Sequence, residues 1–441
     1  MFTEFINTLS SNAYLQKQEK IYQMKTKYYL LKVIIAAVVY ASIAVVSYAQ
    51  NTEIKFLKAQ FPDGKTSIEI PFEIEDNIPV ISVNVNGSRP LRLIFDTGSQ
   101  TPLLYGSVDA APLALKIVGK TEVRGAGSGA GIFASIAGEV TYGFAGLQLF
   151  GSQLVALPKV ETTQITQLQA SAIDGVIGRP VFENFVVELD WEKQIVKLSD
   201  PKNYRYAGKG SVLPLTFDKS GIPYTATTVS IDGKKPIPVK LLVDTGGDHA
   251  LSLDVGSQAD IKVPVKNLGN GSASGLTGSY KLQTALVRKL KMGSYTLKDV
   301  TTSFVDGSSD GTAQMGGRQG LLGSEVLRRF KVIFDYSRSR MILEPNRSLG
   351  NQFEYSLSGF RFTRMPETKI LKLYQIIDDS PAKRAGLLIG DEILSINGRT
   401  ASEYTSEDLS KIFRENSKTL RFAVMRNDKR LVKIIKLKRF L

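Results

Sequence analysis

The sequence predicts a mainly β chain in which two homologous lobes stand in tandem and a smaller α+β domain follows them. That expectation rests on a repeat and on the point where it stops. A short carboxylate turn occurs twice, as Asp96-Thr97-Gly98 and Asp244-Thr245-Gly246, each at the end of an apolar run. Its surroundings recur at an almost fixed interval, which marks two copies of one structural unit. From Gln352 onward the composition changes and nothing of the repeat returns.

The chain opens with a leader over residues 1–49. Lys25, Lys27 and Lys32 precede the apolar run Val33 to Val46, and Ser47 and Ala49 are the small residues at positions −3 and −1 of a cut after Ala49, before Gln50. This is the form of a secretory signal. The run is short of the roughly 20 apolar residues that a membrane span needs, and an uncleaved anchor is the alternative. Residues 1–23 are polar, so Met24 is the expected initiator. The chain has no cysteine, which excludes lipoprotein attachment at the cut and fits export to a bacterial periplasm or exterior better than a disulfide-rich extracellular space.

The first lobe is expected over residues 66–205. Ile68, Ile70, Phe72 and Ile74 alternate as a half-buried strand. Asn86-Gly87 is a strong hairpin turn, and Leu93, Ile94 and Phe95 form the buried strand that delivers Asp96. The second lobe, residues 206–350, repeats the pattern with Asp232-Gly233, then Leu241, Leu242, Val243 and Asp244. Downstream, Gly175 to Gly178 matches Gly320 to Gly323, and Phe185 to Asp190 matches Phe330 to Asp335. The offsets are 148 (244 minus 96) and 145 (323 minus 178).

Between each carboxylate turn and its later hydrophobic-Gly turn lies a glycine-rich segment, 124–131 and 268–278. Gly125, Gly127 and Gly129 in the first and Gly271 and Gly275 in the second read as tips of mobile hairpins that close over a bound chain. Neither has the spacing of a phosphate-cradling loop.

Composition narrows the chemistry. Without cysteine, and with His249 as the single histidine, thiolate and multi-histidine metal sites are excluded. A serine triad would have to use His249, and no strand-to-helix elbow is expected to present its nucleophile. His249 itself reads as a loop residue at the rim of the site. The net charge of +14 attracts anions at long range, but no nucleic-acid motif is present and no such partner is expected. Much of the charge sits in the last strand, where Lys429, Arg430, Lys433, Lys436, Lys438 and Arg439 interleave with Leu431, Val432, Ile434, Ile435 and Leu437. That strand is expected to bury its apolar side and charge the other.

On the paired turns and their matched surroundings, residues 66 to 346 resemble the aspartic protease superfamily, the retropepsin and pepsin group. The resemblance implies two retropepsin-like acid-protease β-barrel lobes, with Asp96 and Asp244 as catalytic residues facing each other. It implies that Thr97 and Thr245 bond across to the opposite lobe, that Gly98 and Gly246 permit the tight loops, and that no cofactor or metal is needed. Peptides or proteins would be the substrates, and one chain would suffice as a monomer. Ser99 is usual at its position and Gly247 departs from the pattern. Ser99 is therefore expected to stabilise ionised Asp96, leaving the shared proton on Asp244.

Residues 355–441 resemble a PDZ domain of the kind appended to bacterial proteases, through Ser380-Pro381-Ala382, Gly386-Leu387, Gly390-Asp391 and Asn397-Gly398. By that resemblance Ser358, Gly359 and Phe360 form the loop that captures a peptide carboxylate; docking on the protease lobes is the alternative. A catalytically silent peptide-binding scaffold is the competing function.

Overall fold

The computed structural model describes residues 58–105, 113–158, 172–233, 235–307, 315–365 and 370–441. The leader, Met24 and the cut after Ala49 lie outside the described residues. The chain divides into two compact units, one ending at Glu354 and the other beginning at Tyr355. Among the described residues no helix is long and apolar enough to cross a membrane.

In each lobe of the first unit the hairpin turns do what their residues dictate. Asn86 and Gly87 both take positive φ, 50° and 75°, the left-handed region that a two-residue hairpin turn needs. They join Ile78–Val85 to Pro90–Phe95 in antiparallel register. Asp232 and Gly233 do the same between Pro223–Ile231 and Ile237–Val243. The delivering strands then pair in parallel with short inserted strands, Pro90–Phe95 with Gly175–Ile177 and Ile237–Val243 with Gly320–Leu322. On its other side each inserted strand runs antiparallel to the strand that leaves the carboxylate turn, Leu103–Leu104 or Leu251–Val255. So close an approach needs glycine. A β-carbon on Gly175 would stand 2.0 Å from the Leu103 carbonyl oxygen, and one on Gly320 would stand 1.9 Å from that of Ser252.

A six-stranded antiparallel sheet joins the lobes, running Ser67–Glu75, Ile195–Ser199, Val186–Asp190, Phe330–Asp335, Arg340–Pro345 and Ser211–Phe217. The two lobes contribute three strands each, and the repeat pairs with itself at the centre, Val187 opposite Phe334 and Asp190 opposite Lys331. One apolar core runs beneath it from Ile68 to Phe353. Phe182 stacks on Phe95 at 4.6 Å and meets Phe334 edge-on at 5.3 Å, so the strand that delivers Asp96 packs onto the sheet that ties the lobes together. Each buried phenylalanine contributes about 1.5–3 kcal/mol.

The second unit is a six-stranded sheet in which Phe360–Arg364 forms one edge and Lys429–Lys436 the other. Its helix Pro381–Arg384 starts with Ser380 accepting from the Lys383 N–H at 3.2 Å and Pro381 in the first turn. It ends at Gly386, with φ 70°. A capping box, Thr405 with Asp408, starts the helix Ser406–Ile412. The last strand corrects the sequence reading. Strict alternation turns Leu431 and Ile435 inward and sets Val432 (51% exposed) and Ile434 (62%) outward beside Arg430 and Lys436. A run of consecutive apolar residues cannot bury both faces of an edge strand.

Candidate active site

The site is built by strand ends. The Asp96 N–H donates to Ile177 O and the Asp244 N–H to Leu322 O, both at 2.9 Å, so each inserted strand holds the start of one carboxylate turn. The turns then fold back on their own side chains. Gly98 N–H donates to Asp96 Oδ1 at 2.6 Å and Gly246 N–H to Asp244 Oδ1 at 3.0 Å.

Two threonines lock the turns together. Thr97 Oγ1 donates to Val243 O at 2.6 Å and Thr245 Oγ1 to Phe95 O at 2.7 Å. In return the Thr97 N–H donates to Thr245 Oγ1 and the Thr245 N–H to Thr97 Oγ1, at 2.9 and 3.0 Å. All of these atoms are buried, where each satisfied bond avoids the desolvation cost of an orphaned polar group.

This exchange brings the two carboxyl groups within hydrogen-bonding reach of each other. Gly246 leaves the room: a β-carbon there would lie 2.4 Å from Asp96 Cγ. Asp96 is 1% and Asp244 0% exposed. Burial, and after it the neighbouring charge of Asp244, push the Asp96 carboxyl well above the usual carboxylate range. The pair holds a proton that two separate aspartates would have lost.

Ser99 departs from expectation. Its hydroxyl donates to Thr101 O at 3.2 Å rather than turning to Asp96, and it is Asp96 whose proton affinity is raised. The raised proton affinity therefore has burial and the facing charge as its causes, and the Ser99 hydroxyl makes its bond elsewhere. Gly247 stands where a side chain would strike Asp244 Oδ2 at 2.5 Å and the His249 ring at 2.6 Å. His249 is a half-buried loop residue beside the second turn. Both its nitrogens are shielded from solvent, and its main-chain oxygen is held from below by the Glu325 N–H at 3.2 Å.

The floor is made by Gly178 and Gly323, whose β-carbons would meet Asp96 O at 1.9 Å and His249 O at 2.1 Å. Each is followed by an N–H that donates to the turn above: Arg179 to Ser99 O at 2.9 Å and Ser324 to Gly247 O at 2.8 Å. Ser324 Oγ also donates to Thr245 O at 2.8 Å. Ser324 and Asn77, whose Nδ2 donates to Asp248 O at 3.0 Å across the lobes, had no signal in the sequence. The string Gly307-Ser308-Ser309-Asp310-Gly311 does have the spacing of a serine-hydrolase elbow. Residues 308–314, which hold that serine and the turn after it, lie outside the described residues.

Both glycine-rich segments are hairpin tips, between Lys116–Val123 and Ile132–Phe144 and between Asn270–Gly275 and Gly278–Met292. They cross each other. Gly129 N–H donates to Thr277 O at 2.6 Å, Thr277 N–H to Ala126 O at 3.2 Å, and Thr277 Oγ1 to Gly125 O at 2.7 Å. The crossing is asymmetric, because the first tip is a glycine saddle while the second presents Leu276, which is 1% exposed among Val123, Ala134 and other residues of the first lobe. Gly125, Gly127, Gly129 and Gly275 all lie where a β-carbon would meet the opposite tip within 3 Å. Gly271 lies further back, opposite Leu282 within its own hairpin. Gly129→Ala, whose β-carbon would stand 2.0 Å from Thr277 O, is expected to hold the tips apart. Steady-state cleavage should show kcat/KM lower by about tenfold or more, with a Tm within a few degrees of the parent.

In the second unit Gly359 has φ 76° and lies against Ser380, leaving 2.0 Å between a β-carbon there and Ser380 Cβ. Ser380 Oγ and the Ile377 N–H donate to Gly359 O, and the Ala382 N–H donates to Ser358 O. The loop's carbonyls are thus turned into the domain. Phe360 is a core residue, 4% exposed and packed on Phe413 and Phe422.

Two homologous lobes locked together at paired Asp-Thr-Gly turns fit a retropepsin-like aspartyl protease domain. Residues 227–326 match the family described as aspartyl protease, and residues 373–424 match the PDZ domain family. The chain thus carries a retropepsin-like aspartyl protease domain and a PDZ domain. The first match falls within the second lobe; the first lobe repeats its topology strand for strand. No curated protein matches the chain.

Proposed function

We propose that this chain is an exported aspartic endopeptidase that hydrolyses peptide bonds with a water held between Asp96 and Asp244. The observation that carries the reading is the reciprocal Thr97–Thr245 exchange, which sets two buried carboxyls face to face with one proton between them. The ionised carboxylate takes a proton from the water as its oxygen attacks the peptide carbonyl. The protonated one donates its hydrogen bond to the carbonyl oxygen as charge develops there. Proton return to the amide nitrogen then breaks the C–N bond and restores the pair.

Crossed hairpin tips above the pair suit an extended peptide drawn through a closed site, excluding bulk water. Both turns belong to one chain, so a monomer suffices. The basic, apolar, small-residue leader supports export to a bacterial periplasm or exterior, with retention as an anchor the alternative. Ser358, Gly359 and the edge strand Phe360–Arg364 supply the positions at which the PDZ domain would take a peptide C-terminus as an added strand.

Digestion of a diverse peptide library from pH 4 to 8 tests the reading, with cuts expected inside peptides rather than at their ends. Absence of cleavage at every pH, with peptides still retained by the PDZ domain, would favour the scaffold reading instead.

A further inference from the structure

The second carboxylate turn has a glycine where the first has Ser99, and the cause lies two residues on. The position that a β-carbon on Gly247 would take is 2.5 Å from Asp244 Oδ2, 2.6 Å from His249 Cε1 and 2.8 Å from His249 Nδ1. The imidazole edge and the outer oxygen of Asp244 therefore converge on one point. The opposite edge rests on the floor, with Cδ2 3.0 Å from the β-carbon position of Gly323. Neither ring nitrogen has a hydrogen-bond partner among the described residues, although both are shielded from solvent. A polar ring left this way is costly unless it serves something. The matching position in the first lobe is Thr101, 148 residues earlier (249 minus 148), so the device belongs to one lobe only.

Resting on the protease reading above, we propose that His249 is a positioning residue for Asp244: its neutral imidazole fills the space beside Oδ2, turns its Cε1–Nδ1 edge toward it, and holds that carboxylate for catalysis.

The surrounding charges decide when the ring is neutral. Asp244 and, beyond it, Asp96 face it from the dyad. Arg318, paired with Asp254 at 3.4 Å, acts from the turn before the inserted strand Gly320–Leu322. Asp248 is its chain neighbour, and Glu325 belongs to the helix that supports its main chain. Burial, and then the Arg318 charge, lower its pKa to about 4. The ring is thus uncharged at neutral and mildly acidic pH. The unfolded chain takes up this proton near 6.5 and the folded chain near 4, so stability falls as pH drops through that window. Below it, an imidazolium beside Arg318 pushes on the floor and ends the arrangement.

As the only histidine, His249 gives a single imidazole signal in NMR without ambiguity. Its titration midpoint should lie near 4 and move lower in Asp244→Asn, which removes a neighbouring negative charge. In peptide cleavage, His249→Phe, which keeps the shape but not the nitrogens, should lower kcat by about tenfold with KM within about twofold. His249→Asn, whose amide can stand in for Nδ1, should keep kcat within about threefold and carry the acid limb to lower pH. A midpoint at the ordinary 6.5 that ignores Asp244→Asn, or a Phe variant with the parent's kcat and acid limb, overturns the proposal. Should the parent cleave nothing while the midpoint still responds to Asp244→Asn, the protease reading fails and the His249–Asp244 contact stands.

Discussion

Asp96→Asn is expected to abolish cleavage and, at neutral pH, to make the protein more stable. The activity loss should reach about 10³-fold or more, because an amide can neither release nor take up the shared proton. The stability gain follows from the raised proton affinity of the buried pair. Below pH 3.8 folded and unfolded Asp96 are both protonated and nothing is lost. As pH rises, the unfolded chain ionises freely while burial and the facing Asp244 resist ionisation in the fold, so stability falls up to the folded pKa. Asparagine removes that resistance. The expected result is a Tm above the parent's at pH 7 and little changed at pH 3. Calorimetry at the two pH values checks it. A variant less stable than the parent at pH 7 would mean that the carboxylate is held by hydrogen bonds rather than strained by burial.

Gly246→Ala should be severely damaging. Its β-carbon would lie 2.4 Å from Asp96 Cγ and within 2.8 Å of both carboxyl oxygens, deep inside the threonine exchange. No flexible side-chain end is available to yield, since Asp96 is anchored by Gly98 and by the pair itself. Relief requires the lobes to part at Thr97 and Thr245, which breaks buried bonds worth about 1–3 kcal/mol each when orphaned. The expected result is a loss of about 3–5 kcal/mol in denaturant unfolding and cleavage reduced by more than about 100-fold. Gly350→Ala, where a β-carbon meets nothing within 4 Å, is the control and should stay within about 0.5 kcal/mol.

These two positions also show what a sequence can carry. The dyad was legible because its chemistry is compressed into consecutive residues: a strand, a carboxylate, a bridging threonine and a glycine. The hairpin turns at Asn86-Gly87 and Asp232-Gly233 were legible for the same reason, as local residues set local dihedrals. Glycine-rich tips announced close backbone approach, but not which backbone, and the crossing of the two tips depends on contacts between residues 152 apart in the chain, as between Thr277 and Gly125. His249 was legible as a loop residue next to the second turn, but not the setting of its ring, which comes from Gly323 and Arg318, far along the chain. Ser99 misled because a hydroxyl next to a carboxylate in sequence found a nearer carbonyl in space, that of Thr101. Val432 and Ile434 misled because composition does not say which face of an edge strand is covered.

A mixing experiment addresses the single-chain dyad directly. Asp96→Asn and Asp244→Asn chains are each assayed alone and then together, across a wide range of concentration. If each chain builds its site from its own two lobes, neither variant cleaves and the mixture is equally silent. Recovery of a substantial fraction of parental activity on mixing would mean that the two carboxylates meet between chains, and would contradict the architecture described above.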